Sequence, residues 1–248
     1  MLEEFFVNEN PKFLFKQFGL IHDIFIILAI LGVVLVYINR NKIAKISKDK
    51  VKKILKVSAF ILLVNMIVYT FGNLYYGSFD YRKDLPLHLC FIANYMFIFG
   101  IYFNKEGILK RTLFMSFIGP IPAILWPDLV STIDNFNFWQ YVISHHFFMM
   151  ISLFSYYGIC YKVEKKDFIK AFILVNILVL IMVPFNLTFD TNYIFSSKIP
   201  DNVMVLYPWL KYFPPIVTLE VTGLVLSYLV YKLIVDKRNN ELKKKKNR

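Results

Sequence analysis

The sequence lacks the long polar stretches from which a soluble domain is built, and it is poor in cysteine. Only two cysteines, Cys90 and Cys160, occur among the 248 residues. Neither has a partner at the spacing of a metal site, and they fall near opposite ends of two apolar segments, which argues against a disulfide. We therefore expect neither a disulfide scaffold nor a bound metal, and we expect no soluble cofactor.

Hydrophobic residues are abundant instead. They make up 57% of the chain, aromatic residues make up 18%, and the mean hydropathy is +0.52, which is typical of an integral membrane protein. Crossing a hydrocarbon core of roughly 30 Å takes about 20 apolar residues. Runs near that length lie at approximately 20–38, 57–76, 85–103, 112–127, 140–161, 168–185 and 214–235. The sequence therefore predicts an all-α polytopic membrane protein with seven transmembrane helices and no internal repeat.

The fourth run is shorter than the others and contains helix-breaking residues. These residues are Gly119, Pro120 and Pro122 within the run and Pro127 at its end. Because a proline lacks the backbone N–H and clashes with the preceding turn, we expect this helix to be bent or broken. The third run begins with Asp84 and Pro86, which could serve as a cap and a first-turn residue.

The net charge of +12 is distributed unevenly between the two sides of the predicted bundle. Alternate loops and the C-terminal tail hold 23 of the 29 Lys and Arg residues. By the positive-inside rule, this places the N-terminus outside and the C-terminus in the cytoplasm. The predicted parts are an extracellular segment at 1–19, a membrane domain at 20–235 and a basic cytoplasmic tail at 236–248. The cations thus act as topology anchors, and a nucleic-acid partner is not expected.

The location follows from the same features. Lys, Ile, Phe, Asn and Tyr are over-represented, a bias typical of an AT-rich genome such as those of some bacteria. The first apolar run begins near residue 20, after acidic residues and without a small-residue cleavage site, so we expect it to be retained as a span. We therefore predict a multi-pass protein of the cell membrane, which in a bacterium is the plasma membrane.

Polar residues gather at one depth of the predicted bundle. With about 1.5 Å of rise per helical residue, Cys90, the pair His145 and His146, and Glu220 all fall in the outer half of their spans, and His22 lies at the outer boundary. Polar side chains in a membrane span are costly unless they are paired or face a cavity, so each suggests a function.

Helical geometry decides which of these residues can meet. Asn94 lies four residues after Cys90 and shares its face, whereas His88 lies two residues before Cys90 and points away. His145 and His146 diverge by about 100°, so at most one of them can point at Cys90. Each also has a structural interpretation, since histidines near a membrane boundary are often interfacial hydrogen-bonding residues.

A cysteine, a histidine and a carboxylate or amide are the components of a thiol nucleophile site. The histidine removes the thiol proton, and the third group orients the imidazole ring. Asn94, His88 and Glu220 are candidates for that third role. An unpaired carboxylate within a span, such as that of Glu220, must be protonated or must accept a hydrogen bond from a partner.

The alternative function is a transporter or solute-binding membrane module with an outward-facing polar site. The broken fourth span favours this alternative, and the lack of an inverted repeat in the sequence argues against it.

Four segments resemble a known family. They are LPLHLC (85–90), GPIPAILWPDL (119–129), QYVISHH (140–146) and NYIF (192–195). Together they are similar to the TMEM164 family, including its YwaF-like bacterial integral membrane proteins, over approximately residues 15–235. The resemblance implies an acyltransferase that moves a fatty acyl chain onto lyso ether phospholipids with a cysteine and a histidine. It places the cysteine on Cys90 and the histidine on the pair 145/146, with His145 the better match.

The sequence and the resemblance together predict a transfer reaction at the outer leaflet. A diacyl phospholipid would donate its acyl chain to Cys90, and a lysophospholipid, water or a lipoprotein amine would accept it, with His145 or His146 as the base. The residues predicted to line the site or to orient the catalytic groups are His88, Asn94, Glu220, His22 and Asn192. The expected partners are phospholipid, lysophospholipid and the membrane, and the oligomeric state is not assigned.

The charge distribution makes a direct prediction about topology. In a variant lacking Cys90 and Cys160, a single cysteine placed within residues 77–84 should react with a membrane-impermeant thiol reagent in intact cells. A cysteine in the tail KKKKNR should react only after the cells are opened, because that tail is predicted to be cytoplasmic. Reaction of the tail cysteine in intact cells would reverse the orientation.

Overall fold

The computed structural model describes residues 2–7, 13–130 and 132–240, and most of these residues are helical. The twelve α-helices in this part of the chain are α1 Leu2–Phe6, α2 Leu20–Ile38, α3 Arg40–Ile43, α4 Lys48–Tyr75, α5 Leu89–Tyr102, α6 Glu106–Ile118, α7 Pro120–Leu125, α8 Phe136–Val142, α9 Phe148–Ile159, α10 Lys165–Phe189, α11 Asp201–Leu206 and α12 Pro215–Val230. A π-helical segment, Ile143–Phe147, joins α8 to α9, and a second one, Tyr231–Asp236, extends α12. Short 3-10 helices occupy Tyr193–Phe195 and Pro208–Tyr212.

Within the described residues, six helical stretches are long and apolar enough to cross a membrane, which confirms the all-α polytopic prediction at that level. They are Leu20–Ile38, Lys48–Tyr75, Glu106–Leu125, Phe136–Ile159, Lys165–Phe189 and Pro215–Asn240. The third predicted span is different, because α5 has 14 residues and is therefore only about 21 Å long.

The late start of α5 has a local cause. His88 precedes the helix in an extended conformation, with φ −67° and ψ 150°. The predicted cap at Asp84 is wrong, because its carboxylate accepts hydrogen bonds from the Tyr69 hydroxyl at 2.6 Å and from the backbone N–H of Asp80 at 2.7 Å. Asp84 thus closes the turn before α5 and does not cap the helix.

The fourth span changes helix at Gly119. α6 ends at Ile118 and α7 begins at Pro120, while Gly119 itself keeps helical angles of φ −77° and ψ −55°. Two prolines in the first turn of α7 remove backbone donors from the hydrogen-bond ladder. The fourth span is therefore an interrupted helix.

Side-chain contacts divide the helix ends into two groups. At one end, which we call the basic end, Lys48 Nζ donates to the carbonyls of Gly158 and Ile159, and Arg238 donates to the carbonyl of Tyr156. We call the opposite end the histidine end, because the four histidines lie there, near the start of α2, the start of α5 and the junction of α8 with α9. All four histidines thus lie at one end of the bundle.

The centre of the bundle is formed by the fourth and fifth spans. The buried share is 67% in Phe136–Ile159 and 56% in Glu106–Leu125, but only 17% in Lys165–Phe189 and in Pro215–Asn240. The peripheral helices expose apolar side chains such as Leu180 and Leu233, as expected for surfaces that contact lipid tails. The central helices therefore position the polar groups of the histidine end.

Close helix packing at the basic end depends on one glycine. A Cβ atom at Gly158 in α9 would lie 2.8 Å from Cγ1 of Val51 in α4, and Val51 is fully buried. Because a valine in a helix is restricted to essentially one rotamer, it cannot turn away. Only glycine allows α4 and α9 to approach this closely.

We expect Gly158→Ala to destabilise the protein by about 1–3 kcal/mol, because the added methyl group overpacks a rigid contact. The matched control is Gly107→Ala in α6, where a Cβ atom would meet nothing within 4 Å. There alanine should be neutral or stabilising by about 0.5–1 kcal/mol through helix propensity. Thermal unfolding of both variants in detergent measures the difference, and equal melting temperatures would contradict the packing argument.

Candidate functional site

Cys90 is the second residue of α5 and is half-buried. It lies against the break in the fourth span, since a Cβ atom at Gly119 would be 3.8 Å from the Cys90 nitrogen and 3.9 Å from its Cα. Cys90 and Phe91 both lie in the first turn of α5. N–H groups in a first helical turn have no partner within the helix, and they favour negative charge.

Cys160 has a different setting. It is exposed and ends α9 in a left-handed conformation, with φ 64°. Its sulfur contacts the Tyr157 carbonyl oxygen at 2.9 Å. Cys160 therefore lies at the basic end, away from the histidines.

Asn94 links the Cys90 turn to the π-helical segment. Its Nδ2 donates to the Cys90 carbonyl at 2.7 Å and to the Ser144 carbonyl at 3.2 Å. The first bond follows from the four-residue spacing that places both residues on one helix face. Ser144 directly precedes His145, so this single amide joins the thiol-bearing turn to the histidine pair.

His145 has one nitrogen engaged and one free. Its Nδ1 lies 2.8 Å from the Tyr141 carbonyl oxygen, and because a carbonyl can only accept, Nδ1 carries the proton. In the neutral ring Nε2 then holds the lone pair, and no described residue donates a hydrogen bond to it. The Tyr141 ring packs against the imidazole in a tilted arrangement with centroids 4.1 Å apart, and its hydroxyl donates to the Ala123 carbonyl at 2.7 Å. Tyr141 therefore fixes both the tautomer and the position of His145.

His146 points towards a different helix. Its Nε2 donates to the Phe25 carbonyl of α2 at 2.9 Å, and its ring packs edge-to-face on Phe25 with centroids 4.0 Å apart. The remaining nitrogen, Nδ1, is buried and has no hydrogen-bond partner among the described residues. Adjacent in sequence, the two histidines thus contact different neighbours.

His22 connects α2 to the end of α7 and has no free nitrogen. The Phe18 backbone N–H donates to Nδ1 at 2.8 Å, and Nε2 donates to the Ile124 carbonyl at 2.8 Å. The side chain is fully buried. Because both ring nitrogens form hydrogen bonds, His22 has a structural role in holding α2 against α7.

His88 contacts the segment NYIF. The Ile194 backbone N–H donates to its Nδ1 at 3.4 Å, and its ring packs on Tyr193 and Phe195 with centroids 4.9 and 5.2 Å away. Ile194 has φ 58° and Phe195 has φ 56°, which is a strained conformation for a β-branched residue. Two of the sequence segments that carry the family resemblance are therefore in direct contact.

Asn186 holds this strained segment, and sequence reasoning missed it. Its Oδ1 accepts from the Thr191 hydroxyl at 2.6 Å and the Tyr193 N–H at 2.9 Å. Its Nδ2 donates to the Tyr193 carbonyl at 2.9 Å and the Ser196 hydroxyl at 2.8 Å. The available signal was a lone asparagine near the end of an apolar run.

The two remaining predicted site residues are not brought to the histidine pair. Asn192 closes its own loop, accepting from the N–H groups of Ser197 and Lys198 at 3.2 and 3.0 Å. Glu220 is half-buried in α12, and it forms no hydrogen bond or ion pair with any residue in the described ranges. Neither is within hydrogen-bonding distance of His145 or His146.

A second polar group that sequence reasoning missed lies beside the π-helical segment. Ser144 Oγ accepts from Gln140 Nε2 at 2.8 Å and from Asn65 Nδ2 at 3.1 Å. The Oδ1 atoms of Asn65 and Asn94 are buried without a partner in the described structure. Single polar residues in the runs of α4 and α8 were the signal for this cluster.

The side-chain types at the histidine end determine which chemistry it can perform. Residues 2–7, 13–130 and 132–240 contain no group of three His, Cys, Asp or Glu side chains arranged to bind a metal ion. A thiol beside first-turn N–H groups, an imidazole with a free lone pair and an amide that joins their segments can support nucleophilic chemistry.

Comparison with known proteins identifies the family. Searches of curated proteins and of solved structures returned no match. The model of the TMEM164 family matches residues 16–231, a range that contains Cys90, both members of the histidine pair and the segment NYIF. Since the match extends over most of the sequence, this multi-pass helical membrane protein belongs to the TMEM164 family.

Proposed function

We propose that the protein is a membrane-embedded acyltransferase that moves a fatty acyl chain from a phospholipid, through a Cys90 thioester, to an acceptor in the same leaflet. The observation that carries the proposal is the Asn94 bridge, which ties the Cys90 turn to the segment that contains His145. The free lone pair of His145 Nε2 makes it the better base of the two histidines. Membership of the TMEM164 family is consistent with this chemistry.

In the first half-reaction, the Cys90 sulfur attacks an ester carbonyl of the phospholipid while His145 Nε2 takes the thiol proton. The first-turn N–H groups of α5 are donors for the oxyanion that forms. Collapse of the intermediate breaks the ester C–O bond, and His145 returns the proton to the departing lysophospholipid hydroxyl. The product is an acyl thioester on Cys90.

In the second half-reaction, the hydroxyl of a lysophospholipid attacks the thioester carbonyl while His145 removes its proton. The C–S bond breaks, the proton passes to the sulfur, and the free thiol is restored. A lipoprotein amine or water can react in the same way, and with water the enzyme acts as a hydrolase. In transfer to a lysophospholipid the acyl chain remains in an ester or thioester throughout, and the amine and water routes end in an amide and a free fatty acid. Each route starts from the phospholipid ester, so the reaction needs no activated carrier or other cofactor.

The proposal includes an orientation in the plasma membrane. We place the basic end in the cytoplasm, following the positive-inside rule, and count α5 as a seventh crossing. The N-terminus is then outside and the C-terminus inside, and the histidine end faces the outer leaflet that supplies the lipid substrates. Nucleic acid has no role in this scheme.

One observation favours a second candidate, a transporter or solute-binding module. The buried Oδ1 atoms of Asn65 and Asn94 have no described donor, and an interrupted helix lies beside Cys90. Interrupted helices and unpaired polar groups are features of solute sites in membranes. Uptake of solute by vesicles, unaffected by Cys90→Ala, would support this candidate.

We expect Cys90→Ala to abolish acyl transfer between labelled phospholipid and lysophospholipid in reconstituted vesicles, because the nucleophile is lost. Cys160→Ala should retain wild-type transfer, since Cys160 lies at the basic end. Intact mass measurement of the wild type should detect an acyl adduct that hydroxylamine removes and that Cys90→Ala lacks. Equal transfer by both variants would leave Cys90 with a packing role only.

The two histidines should separate in the same assay. His145→Gln should reduce transfer about 10²–10⁴-fold, the usual contribution of a general base. His146→Gln retains an N–H donor for the Phe25 carbonyl and should keep activity within a few-fold of the wild type. Rates of thioester formation and melting temperatures of both variants are the measurements, and a larger loss in His146→Gln would assign the base to His146.

A further inference from the structure

A groove with a volume of 710 Å³ lies along α4, α5 and the start of α6. It occupies the half of α5 that leads to the basic end, so it is separate from the turn that contains Cys90. Its lining is aliphatic and aromatic, and the residues that define it include Leu63, Met96, Phe99, Tyr102, Phe103 and Ile108. Such a surface in a membrane protein accommodates hydrocarbon.

The groove is bounded on one side by close packing of α5 on α6. A Cβ atom at Gly100 would lie 2.7 Å from Cδ2 of Leu109. At this point α5 and α6 pack closely, and together they form one wall of the groove. Phe99 and Phe103 are 45% and 60% exposed on that wall, which leaves their rings accessible from the lipid phase.

Two lysines lie where the groove meets the basic end. Lys56 precedes Leu63 by seven residues, which is two helical turns, so both lie on the same face of α4. The Tyr102 hydroxyl donates to the Lys56 carbonyl at 3.3 Å, which fixes the end of α5 beside Lys56. Lys105 lies in the turn between the groove residues Phe103 and Ile108.

Both lysines are exposed and have no ion pair with any residue in the part of the chain that the structure describes. The nearest acid along the α6 turn, Glu106, is paired instead with Lys110 at 3.8 Å. An apolar groove that ends at two unpaired cations is complementary to a molecule with a hydrocarbon chain and an anionic head group.

We propose that this groove binds an anionic phospholipid of the surrounding leaflet, with one acyl chain along Leu63, Met96 and Phe99 and its phosphate between Lys56 and Lys105. The site does not depend on the proposed acyl transfer. Phe103, at the head-group end of the groove, lies 13 residues after Cys90, or roughly 20 Å along the helix. The ester groups of the bound lipid lie at that end and therefore away from the thiol, so the lipid in the groove is a bound ligand and not the acyl donor.

Tryptophan fluorescence can test the site, because the three native tryptophans, Trp126, Trp139 and Trp209, lie outside the groove. Phe99→Trp places a reporter inside it. The full-length chain is reconstituted in phosphatidylcholine vesicles that contain increasing fractions of phosphatidylglycerol or phosphatidylcholine with brominated acyl chains. The reporter signal is the quenching that exceeds that of the native tryptophans.

We expect brominated phosphatidylglycerol to quench the reporter at a lower mole fraction than brominated phosphatidylcholine. The preference should be about fivefold or more, the contribution of one lysine near an anionic lipid surface. K56Q/K105Q should reduce the preference to about one, and K56R/K105R should retain it. Emission from the native tryptophans and the melting temperature check that each variant is folded.

The matched control is K42Q/K45Q, which removes one exposed lysine of α3 and one just after it. Neither lines the groove, so the preference should be unchanged. Equal quenching by both brominated lipids would overturn the proposal, because the groove would then bind lipid without selecting charge. Retention of the preference in K56Q/K105Q, or its loss in the control, would also overturn it. Acyl transfer by Cys90 is measured separately, so failure of one proposal does not decide the other.

Discussion

The arrangement of the histidine end depends on one amide group. Asn94 Nδ2 donates both to a carbonyl of its own helix and to the Ser144 carbonyl across the bundle. In hydrocarbon no water can replace such a bond, so a polar group that joins two helices must satisfy its partners directly. Without it, no hydrogen bond within the described ranges would join α5 to the π-helical segment, and van der Waals packing does not fix the relative position of a thiol and an imidazole.

Three histidines share one kind of hydrogen bond but differ in the state of their second ring nitrogen. Each of His22, His145 and His146 hydrogen-bonds to a backbone carbonyl, at Ile124, Tyr141 and Phe25 respectively. What differs is the second nitrogen, which is occupied in His22, buried in His146 and free of hydrogen bonds from described residues in His145. A π-helical segment, a frequent feature of functional sites in helices, carries two of these residues and helps to direct them to separate neighbours.

Sequence reasoning predicted the features that depend on periodicity and length. The apolar runs indicated the long helices, and the spacing of Cys90 and Asn94 indicated their shared face, because both follow from helix geometry alone. It could not predict the late start of α5, because that depends on Asp84 bonding to Tyr69 and Asp80. Nor could it predict that Glu220 would lie apart from the histidines, since depth in a membrane does not specify the direction in which a side chain points. Asn186 was missed because its partners lie in a loop whose left-handed residues have no sequence signal.

The shortness of α5 has a consequence for the lipid around the protein. In the proposed arrangement, in which α5 is a seventh crossing, its length of about 21 Å creates a hydrophobic mismatch with a hydrocarbon layer of roughly 30 Å, and local thinning of the bilayer relieves it. Tyr95 and Phe99 on this helix are partly exposed, so lipid in contact with α5 experiences the mismatch. Thinning would draw the glycerol backbones of neighbouring lipids inward, to the level at which α5 begins. A phospholipid ester could then come near the Cys90 turn without leaving its leaflet.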